Sequence, residues 1–433
     1  MMTRRELLKS MALGAFALPV LTSGSLANQM PVKELRKLTG IPGLPSDDDP
    51  DFWIKVRDQF LLARDKVFFN TGTLGASPRI VVSRMMEHFH HVAMNIADWD
   101  YEGDGGMMSG YFPYRNIREK IADLLRVDTD EISLTENVTQ GMSYLGCGID
   151  LMKGDEVLTS NQEHPGGQSS WLLKEKRDGV VFKIVELPKP IHNEEQVIEL
   201  VVNAFTPRTK VLMLSHVITG SGAILPVKEI CAEARKRGII TILDGAQAVG
   251  HIEVNLKETG CDAYTGCFHK WILAPAGNGF LYIRKDMAPK VWTTLAGGNW
   301  DNHEDEGFRF TQRGTGSLTL LIGLEAALDF HNELGHDRVI SHIKGLGYYL
   351  REGLRKNPKV KIYSPDQEKM CGAITVYGIE GYNGPQLMAE MWKRDRLRPR
   401  SSMGIGLRQS THIYNSIEEI DRSLKIVGEL SGA

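Results

Sequence analysis

The sequence predicts an α/β protein, with a large domain on a mainly parallel sheet and a smaller α+β domain at its C-terminal end. Three observations lead to this. From about residue 67 to residue 290, short apolar runs alternate with stretches of helical periodicity, the pattern of successive βαβ units. The run Val211–Val217 is almost continuously apolar, as a strand covered on both faces of a parallel sheet should be. After residue 318 a long helical stretch gives way to mixed helices and short strands, and 433 residues are too many for one simple core.

In chain order, 51–64 places Phe52, Val56 and Phe60 at helical spacing. Residues 67–77 read as a short strand entering a loop, where Gly72 and Gly75 would let the backbone lie against a ligand. A helix over 80–93 follows Pro78. His88, His90 and His91 on it lack the Asp, Glu or Cys partners of a metal site and read as solvated. Residues 99–113 are rich in glycine and aromatics, as expected of a loop near a site or a subunit contact. A helix over 114–125 and a strand over 132–134 come next. Asn137 and Thr139 then precede a helix, and amides and a hydroxyl at a helix start suit a phosphate; a plain N-cap is the alternative.

Further strands are expected at 156–159, 180–185, 211–217, 239–243, 263–267 and 280–283. Helices are expected at 194–204 and along the face Val227, Ile230, Cys231 and Ala234. Beyond a polar stretch at 296–317, helices are expected at 318–333, 336–357, 386–394 and 417–428. Extended segments are expected at 360–363, 372–378 and 405–410. His164, Thr219, Asp244 and Lys270 all fall at or beyond strand C-terminal ends, where open α/β sheets bind ligands.

Lys270 lies between an apolar run and a Gly/Pro-rich turn, and Asp244 closes the run IITILD. A lysine and an acid delivered to one end of a sheet suit pyridoxal 5′-phosphate. The lysine holds the aldehyde as a Schiff base, and the acid keeps the pyridine nitrogen protonated so that the ring can accept electrons.

Composition excludes several other classes. Hydrophobic residues make up 42% and charged residues 24%, ordinary for a globular enzyme. A formal charge of −3 and only a short basic cluster at 393–400 give no nucleic-acid footprint. Five widely spaced cysteines without a CxxC pair argue against a disulfide framework and a structural zinc site. No apolar run long enough to span a membrane follows the N-terminal segment. That segment reads MMTRRELLKSMALGAFALPVLTSGSLANQ: Arg4 and Arg5, an apolar stretch, then Ser25-Leu26-Ala27. It resembles a twin-arginine signal, which implies export of the folded chain by the twin-arginine machinery to the periplasm.

The motifs NTGTLGASP, TENVTQG, QEHPGG, SHVITGSG, DGAQAVGH, GCFHKW, RGTGS and LRQSTHIYNSIEEID occur in this order. Together they resemble the class V aminotransferase family of fold-type I pyridoxal phosphate enzymes, which includes isopenicillin N epimerase-like proteins and cysteine desulfurases. The resemblance implies a seven-stranded sheet in the large domain. It implies that Lys270 carries the cofactor and serves as base at Cα, that Asp244 pairs with the pyridinium, and that Gln247 meets the ring oxygen. It implies that His164 stacks on the ring, that Val138, Thr139 and His269 meet the phosphate, and that Thr219 lies near the ring oxygen. Arg408 would clamp a substrate α-carboxylate beside Gly72 and Thr73, and Thr315 would reach the phosphate of a neighbouring subunit, so that a homodimer shares its sites.

The stretch RLRPRSSMGIGLRQS carries no cysteine where desulfurases carry their nucleophile, so persulfide chemistry is not expected. Cys267 stands where many relatives have serine or asparagine, and Thr219 replaces the desulfurase asparagine. The expected activity is transamination of an amino acid or an amino-acid-derived metabolite, because one base suffices for it. Epimerisation, which needs a second base, and C–S or C–N lysis are the alternatives, with a non-catalytic binding protein on the same fold as the rival class. The expected division is a signal over 1–27, a linker over 28–50, a segment over 51–66 packing on the small domain, a large domain over 67–317 and a small domain over 318–433.

Overall fold

The computed structural model describes residues 46, 49, 51–99, 107–402 and 406–432, all within one compact unit. The expected export signal and most of the expected linker lie outside the described residues, as do 100–106 of the stretch rich in glycine and aromatics. None of the described helices is long and apolar enough to cross a membrane.

The described chain opens with α1 (Phe52–Arg57), β1 (Val67–Phe68) and α2 (Arg79–Asn95). Then come β2 (Met108–Ser109), α3 (Arg115–Leu125), β3 (Ile132–Thr135), α4 (Val138–Gly148), β4 (Glu156–Ser160), α5 (Pro165–Asp178) and β5 (Val181–Val185). Next are α6 (Glu194–Asn203), β6 (Thr209–Ser215), α7 (Val227–Arg235), β7 (Ile240–Asp244), α8 (Leu256–Thr259), β8 (Ala263–Cys267) and β9 (Gly279–Ile283). The C-terminal part holds α9 (Glu306–Thr311), β10 (Gly316–Ser317), α10 (Leu318–Leu334), α11 (His336–Arg355), β11 (Val360–Ile362) and β12 (Ile374–Ile379). It ends with α12 (Gly384–Asp395), β13 (Leu397–Arg398), β14 (Arg400–Ser402), β15 (Gly406–Ser410) and α13 (Ile417–Ser431).

A seven-stranded sheet runs in the order β3-β9-β8-β7-β6-β4-β5. Strands β4 to β8 pair in parallel, whereas β9 is antiparallel to both β8 and β3. The reversal has a simple cause. A parallel return needs a long crossover, usually helical, and residues 268–278 between β8 and β9 form none. Lys270 sits in that tight return. The expected burial of the central strands is met in β6, where Val211, Leu212, Met213 and Leu214 have no exposed surface. In α7 the buried residues are Val227, Ile230, Cys231 and Ala234, the face that the helical period marks.

Side chains start several helices. Asn137 Oδ1 accepts from the Gln140 amide, Asn193 Oδ1 from Gln196, and Ser416 and Glu419 form a reciprocal capping box. The polar stretch 296–317, expected to be without a helix, contains α9, which Asp305 caps through the Phe308 amide.

A four-stranded antiparallel sheet, β11-β12-β15-β14, packs its own apolar cluster with α11, α12 and α13. Strand β1 pairs in parallel with β13, and Asn70 bridges to Ser410, so 67–70 is sewn to the C-terminal strands. Ahead of it, Trp53 stacks on His342 with ring centroids 3.9 Å apart, and Arg57 pairs with Glu419.

Arg118 on α3 is fully buried and binds Asp305 through two nitrogens, at 2.8 and 2.6 Å. Its Nε donates to Ile132 O at 2.8 Å, so one guanidinium joins α3, β3 and the start of α9. Arg118→Ala should therefore cost about 3–5 kcal/mol in denaturant unfolding, since it strands the carboxylate. Burial is the largest single influence on Asp305 and opposes its ionisation, but the Arg118 bond and charge, with the Phe308 amide and the Arg115 charge, together outweigh it and hold the carboxyl below its ordinary 3.8. This stabilisation is therefore complete above the ordinary carboxylate range and is lost as pH falls through the lowered value. The variant should show a shallower acid limb in its stability profile than the parent.

Candidate active site

A cavity of about 550 Å³ opens at the C-terminal ends of β4, β6, β7 and β8. Residues of β14 and β15 close its other side. Strand direction explains the assembly: parallel strands send their following loops to one edge, and each loop brings one or more functional side chains. Lys270, Asp244, Gln247, His164, Val138, Thr139, Thr219 and His269 all line the cavity, together with Arg408, Gly72 and Thr73.

Lys270 is held from behind. The Gly75 amide donates to His269 O at 2.8 Å, and a Cβ on Gly75 would lie 2.2 Å from Lys270 O. Only glycine lets the 70–75 loop press against the lysine backbone this closely. Three residues on, Leu273 has φ 63° and is buried, a left-handed conformation paid for by core packing in the lysine-bearing turn.

Asp244 is the last residue of β7 and is 3% exposed. Its Oδ1 accepts from the Ala246 amide at 2.8 Å, and no described side chain forms an ion pair with it. Burial raises its pKa; the Ala246 amide and the Lys270 charge oppose the rise. A buried carboxylate without a cation partner suits a pyridinium nitrogen. Beside it, Glu163 accepts from Ser160 Oγ at 2.6 Å and from the Ser215 amide at 2.8 Å, and burial pushes its pKa to about 7.

The anion end is built from two helix starts. Asn137 caps α4, and the Val138 and Thr139 amides fall in the first turn, where no intrahelical acceptor exists. Pro165 and Gly166 open α5 at the same wall. His164 caps α5: its Nδ1 accepts from the Gly166 amide at 3.0 Å, which places the ring proton on Nε2. Burial, then the Lys270 charge, lowers its pKa, so the ring is neutral and free to lie flat against a cofactor. His269 Nδ1 is buried without a partner among the described residues, and burial takes its pKa down to about 4. Cys267 points its sulfur at Ala246 O, 3.6 Å away, and burial raises its pKa, so it is a packed thiol and a poor nucleophile.

Gln247 is pinned on both ends of its amide. Trp271 Nε1 donates to Oε1 at 3.0 Å, and Nε2 donates to Gly72 O at 2.7 Å and to Thr219 Oγ1 at 3.1 Å. Arg408 Nη1 donates to the same Thr219 oxygen at 2.7 Å. A hydroxyl has two acceptor sites and one proton. With both acceptor sites taken, the Thr219 proton is the unclaimed donor on this wall, while Gln247 must give up a bond to serve a ligand.

Thr315 lies apart from the cavity. It is exposed, with Oγ1 3.2 Å from Tyr111 OH. Several further residues serve the cavity beyond those that the sequence marks. Trp271 orients Gln247, Glu163 ties the ends of β4 and β6, and Arg400, Ser401 and Ser402 line the cavity from β14. The only signal for Arg400 was its place eight residues before Arg408, which becomes cross-strand contact only once the hairpin register is known.

The orphaned His269 nitrogen, the open amides of α4, the unpaired Asp244 and the lysine opposite it fit pyridoxal 5′-phosphate. The comparisons agree. Isopenicillin N epimerase of Amycolatopsis lactamdurans is 30% identical over 404 residues, covering 88% of this chain and 98% of that protein. Isopenicillin N epimerase of Streptomyces clavuligerus is 28% identical, with the same coverage of both. A probable cysteine desulfurase of Methanothermobacter thermautotrophicus is 27% identical, covering 87% of this chain and 98% of that protein. Among solved structures, C-DES with glycine covalently linked to its PLP cofactor has a TM-score of 0.78 at 23% identity, covering 86% of this chain and 99% of that one. The apo cysteine desulfurase of Thermococcus onnurineus has a TM-score of 0.75 at 23% identity, covering 88% and 98%. The fold is that of the fold-type I enzymes, and the cofactor is pyridoxal 5′-phosphate. The aminotransferase class-V family matches residues 67–422, and the chain belongs to that family.

Proposed function

We propose that the protein removes the Cα proton of an amino acid or an amino-acid-derived metabolite, with Lys270 as the base, and that the outcome is transamination. One observation carries this reading: Lys270 is the only amine lining the cavity among the described residues, and the other basic groups there, His164, His269 and Asp244, are the ones this reading gives to the cofactor. Bound pyridoxal phosphate supplies an electrophilic carbon and an electron sink. The rest falls to the chain. Asp244 holds a proton on the pyridine nitrogen, and the α4 amides with His269 hold the phosphate. The flat face of His164 fixes the ring, and the Thr219 hydroxyl meets its oxygen. Arg408 orients the substrate carboxylate, and Lys270 Nζ takes the Cα proton.

A base on one side returns a proton to that side, which favours transamination over inversion. His164 is a weak second base, since its Nδ1 is occupied and its Nε2 carries the proton. Cys267 holds its proton through burial. Epimerisation stands as the second reading, because two of the relatives are isopenicillin N epimerases. Persulfide transfer is not proposed: the stretch 395–410 has no cysteine. We also propose a homodimer in which exposed Thr315 reaches the partner's phosphate site, and export by the twin-arginine route with the cofactor already loaded.

Purified protein should be yellow, and Lys270→Ala should remove that absorbance and slow turnover by at least about 10²–10⁴-fold. An effective amino donor should convert the cofactor to its pyridoxamine form, reversed by a 2-oxo acid. Solvent deuterium at Cα with loss of chirality and no pyridoxamine would establish epimerisation instead. Thr219→Val should raise the pH midpoint of the visible absorbance by about one unit, or ~1.4 kcal/mol, because the ring oxygen then keeps a firmer hold on its neighbouring proton. An unchanged midpoint would remove Thr219 from the cofactor's contacts. Replacing Arg4 and Arg5 by lysine should trap the protein in the cytoplasmic fraction; unaltered periplasmic recovery would rule out the twin-arginine route.

A further inference from the structure

The cavity carries one cation more than an ordinary amino acid needs. Asp244 and the two helix starts answer the nitrogen and phosphate of the cofactor, and Lys270 binds its aldehyde. Arg408 and Arg400 remain on the substrate side. They are cross-strand partners in the β14–β15 hairpin, which turns both guanidiniums to the same wall.

Their geometry is tight. Arg400 Nη1 and Arg408 Nη2 each donate to Thr73 Oγ1 at 2.8 Å, so these nitrogens are no farther apart than twice that length. Thr73 in turn donates to Asn70 Oδ1 at 2.8 Å, which saturates its hydroxyl. Two cations thus meet on one neutral oxygen, and the other acceptors of Arg408 are neutral too: Asn70 Oδ1 at 3.0 Å and Thr219 Oγ1 at 2.7 Å. No carboxylate forms an ion pair with either arginine among the described residues. Arg408 is 4% exposed, and its Nε is buried without an acceptor. Burial, then the Arg400 charge, pulls its pKa down to about 10. Arg400 is exposed, and only its bond to Thr73 is made within the described residues, which leaves its other N–H donors open to a ligand. Like charges this close, without a protein anion between them, form a site that an anion completes.

We propose that Arg400 and Arg408 form a two-point anion site at the cavity mouth, and that the substrate is an amino acid or amino-acid-derived metabolite bearing a second carboxylate. The second point rests on the reading of the protein as an amino-acid-converting enzyme. Arg408 takes the α-carboxylate from within the cavity, and Arg400 takes the distal carboxylate at its rim. A planar fork on each side suits two carboxylates better than one, since a single α-carboxylate would leave one guanidinium uncompensated. Any substrate with a neutral side chain should bind more weakly for that reason.

The test uses cofactor-loaded protein and two probes that lack an amine and therefore cannot react. Glutarate carries two carboxylates, and pentanoate, of equal length, carries one. Calorimetric titration should give glutarate at least about tenfold tighter binding than pentanoate, the scale of one charge-assisted bond. Arg400→Gln should erase that difference while leaving pentanoate affinity and the visible spectrum unchanged. Equal binding of the two probes, or a preference for glutarate that survives Arg400→Gln, overturns the proposal. So does an equal loss of both probes in the variant, which would mean that Arg400 and Arg408 share one carboxylate. The reaction is read separately, with glutamate and glutamine as amines. If the Arg400-dependent glutarate preference holds but neither amine changes the cofactor spectrum, the anion site stands and the proposed reaction falls.

Discussion

The site depends on where β7 and β8 end. These parallel neighbours pair Asp244 with Thr265, so the acid leaves the sheet one strand away from the chain that carries the lysine. The chain beyond β8 then has no helix in which to cross over. It turns back at once as β9, and the turn itself holds Lys270. Acid and amine thus face one cavity because of strand direction and a short return, before any contact between them is considered. The 70–75 loop locks the turn from behind, and it can do so only because Gly75 has no side chain to strike Lys270 O.

Electrostatics at the cavity are unbalanced in a patterned way. Elsewhere in the molecule, buried charges are paired: Arg118 with Asp305 and Arg351 with Glu368. In the cavity, Asp244 and Arg408 are nearly as buried and form no ion pair among the described residues. An unpaired buried charge costs stability unless a ligand compensates it. The same protein that pairs such groups in its scaffold leaves them open in the cavity. Neutral groups fill the space between. His164 and His269 are held uncharged by burial, Thr73 accepts from two arginines, Thr219 accepts from Arg408 and Gln247, and Gln247 is clamped by Trp271. Such a wall is preorganised, so binding need not reorder it.

Much of the site was legible in local sequence. Asp244, Lys270 and His164 each follow a recognisable strand, and Asn137 precedes a recognisable helix. What escaped was whatever depends on partners remote in the chain. Arg400 is unremarked in a basic stretch until hairpin register sets it opposite Arg408. Trp271 looks like a core residue until its indole is found on Gln247 Oε1. The antiparallel course of β9 escaped too, because an apolar run has no direction of its own.

By itself the sequence determined the fold class, the cofactor chemistry and the set of loops that line the cavity. Periodicity, helix caps and glycine positions are local, and each acts through a few neighbouring residues. Only the tertiary structure decided the division of labour within the site. It left the free proton on Thr219 while committing both Gln247 hydrogens, it made Cys267 a packed thiol, and it set two arginines on one hydroxyl. These follow from register, burial and the finite number of hydrogen-bond sites on each atom, which exist only once distant segments share a wall.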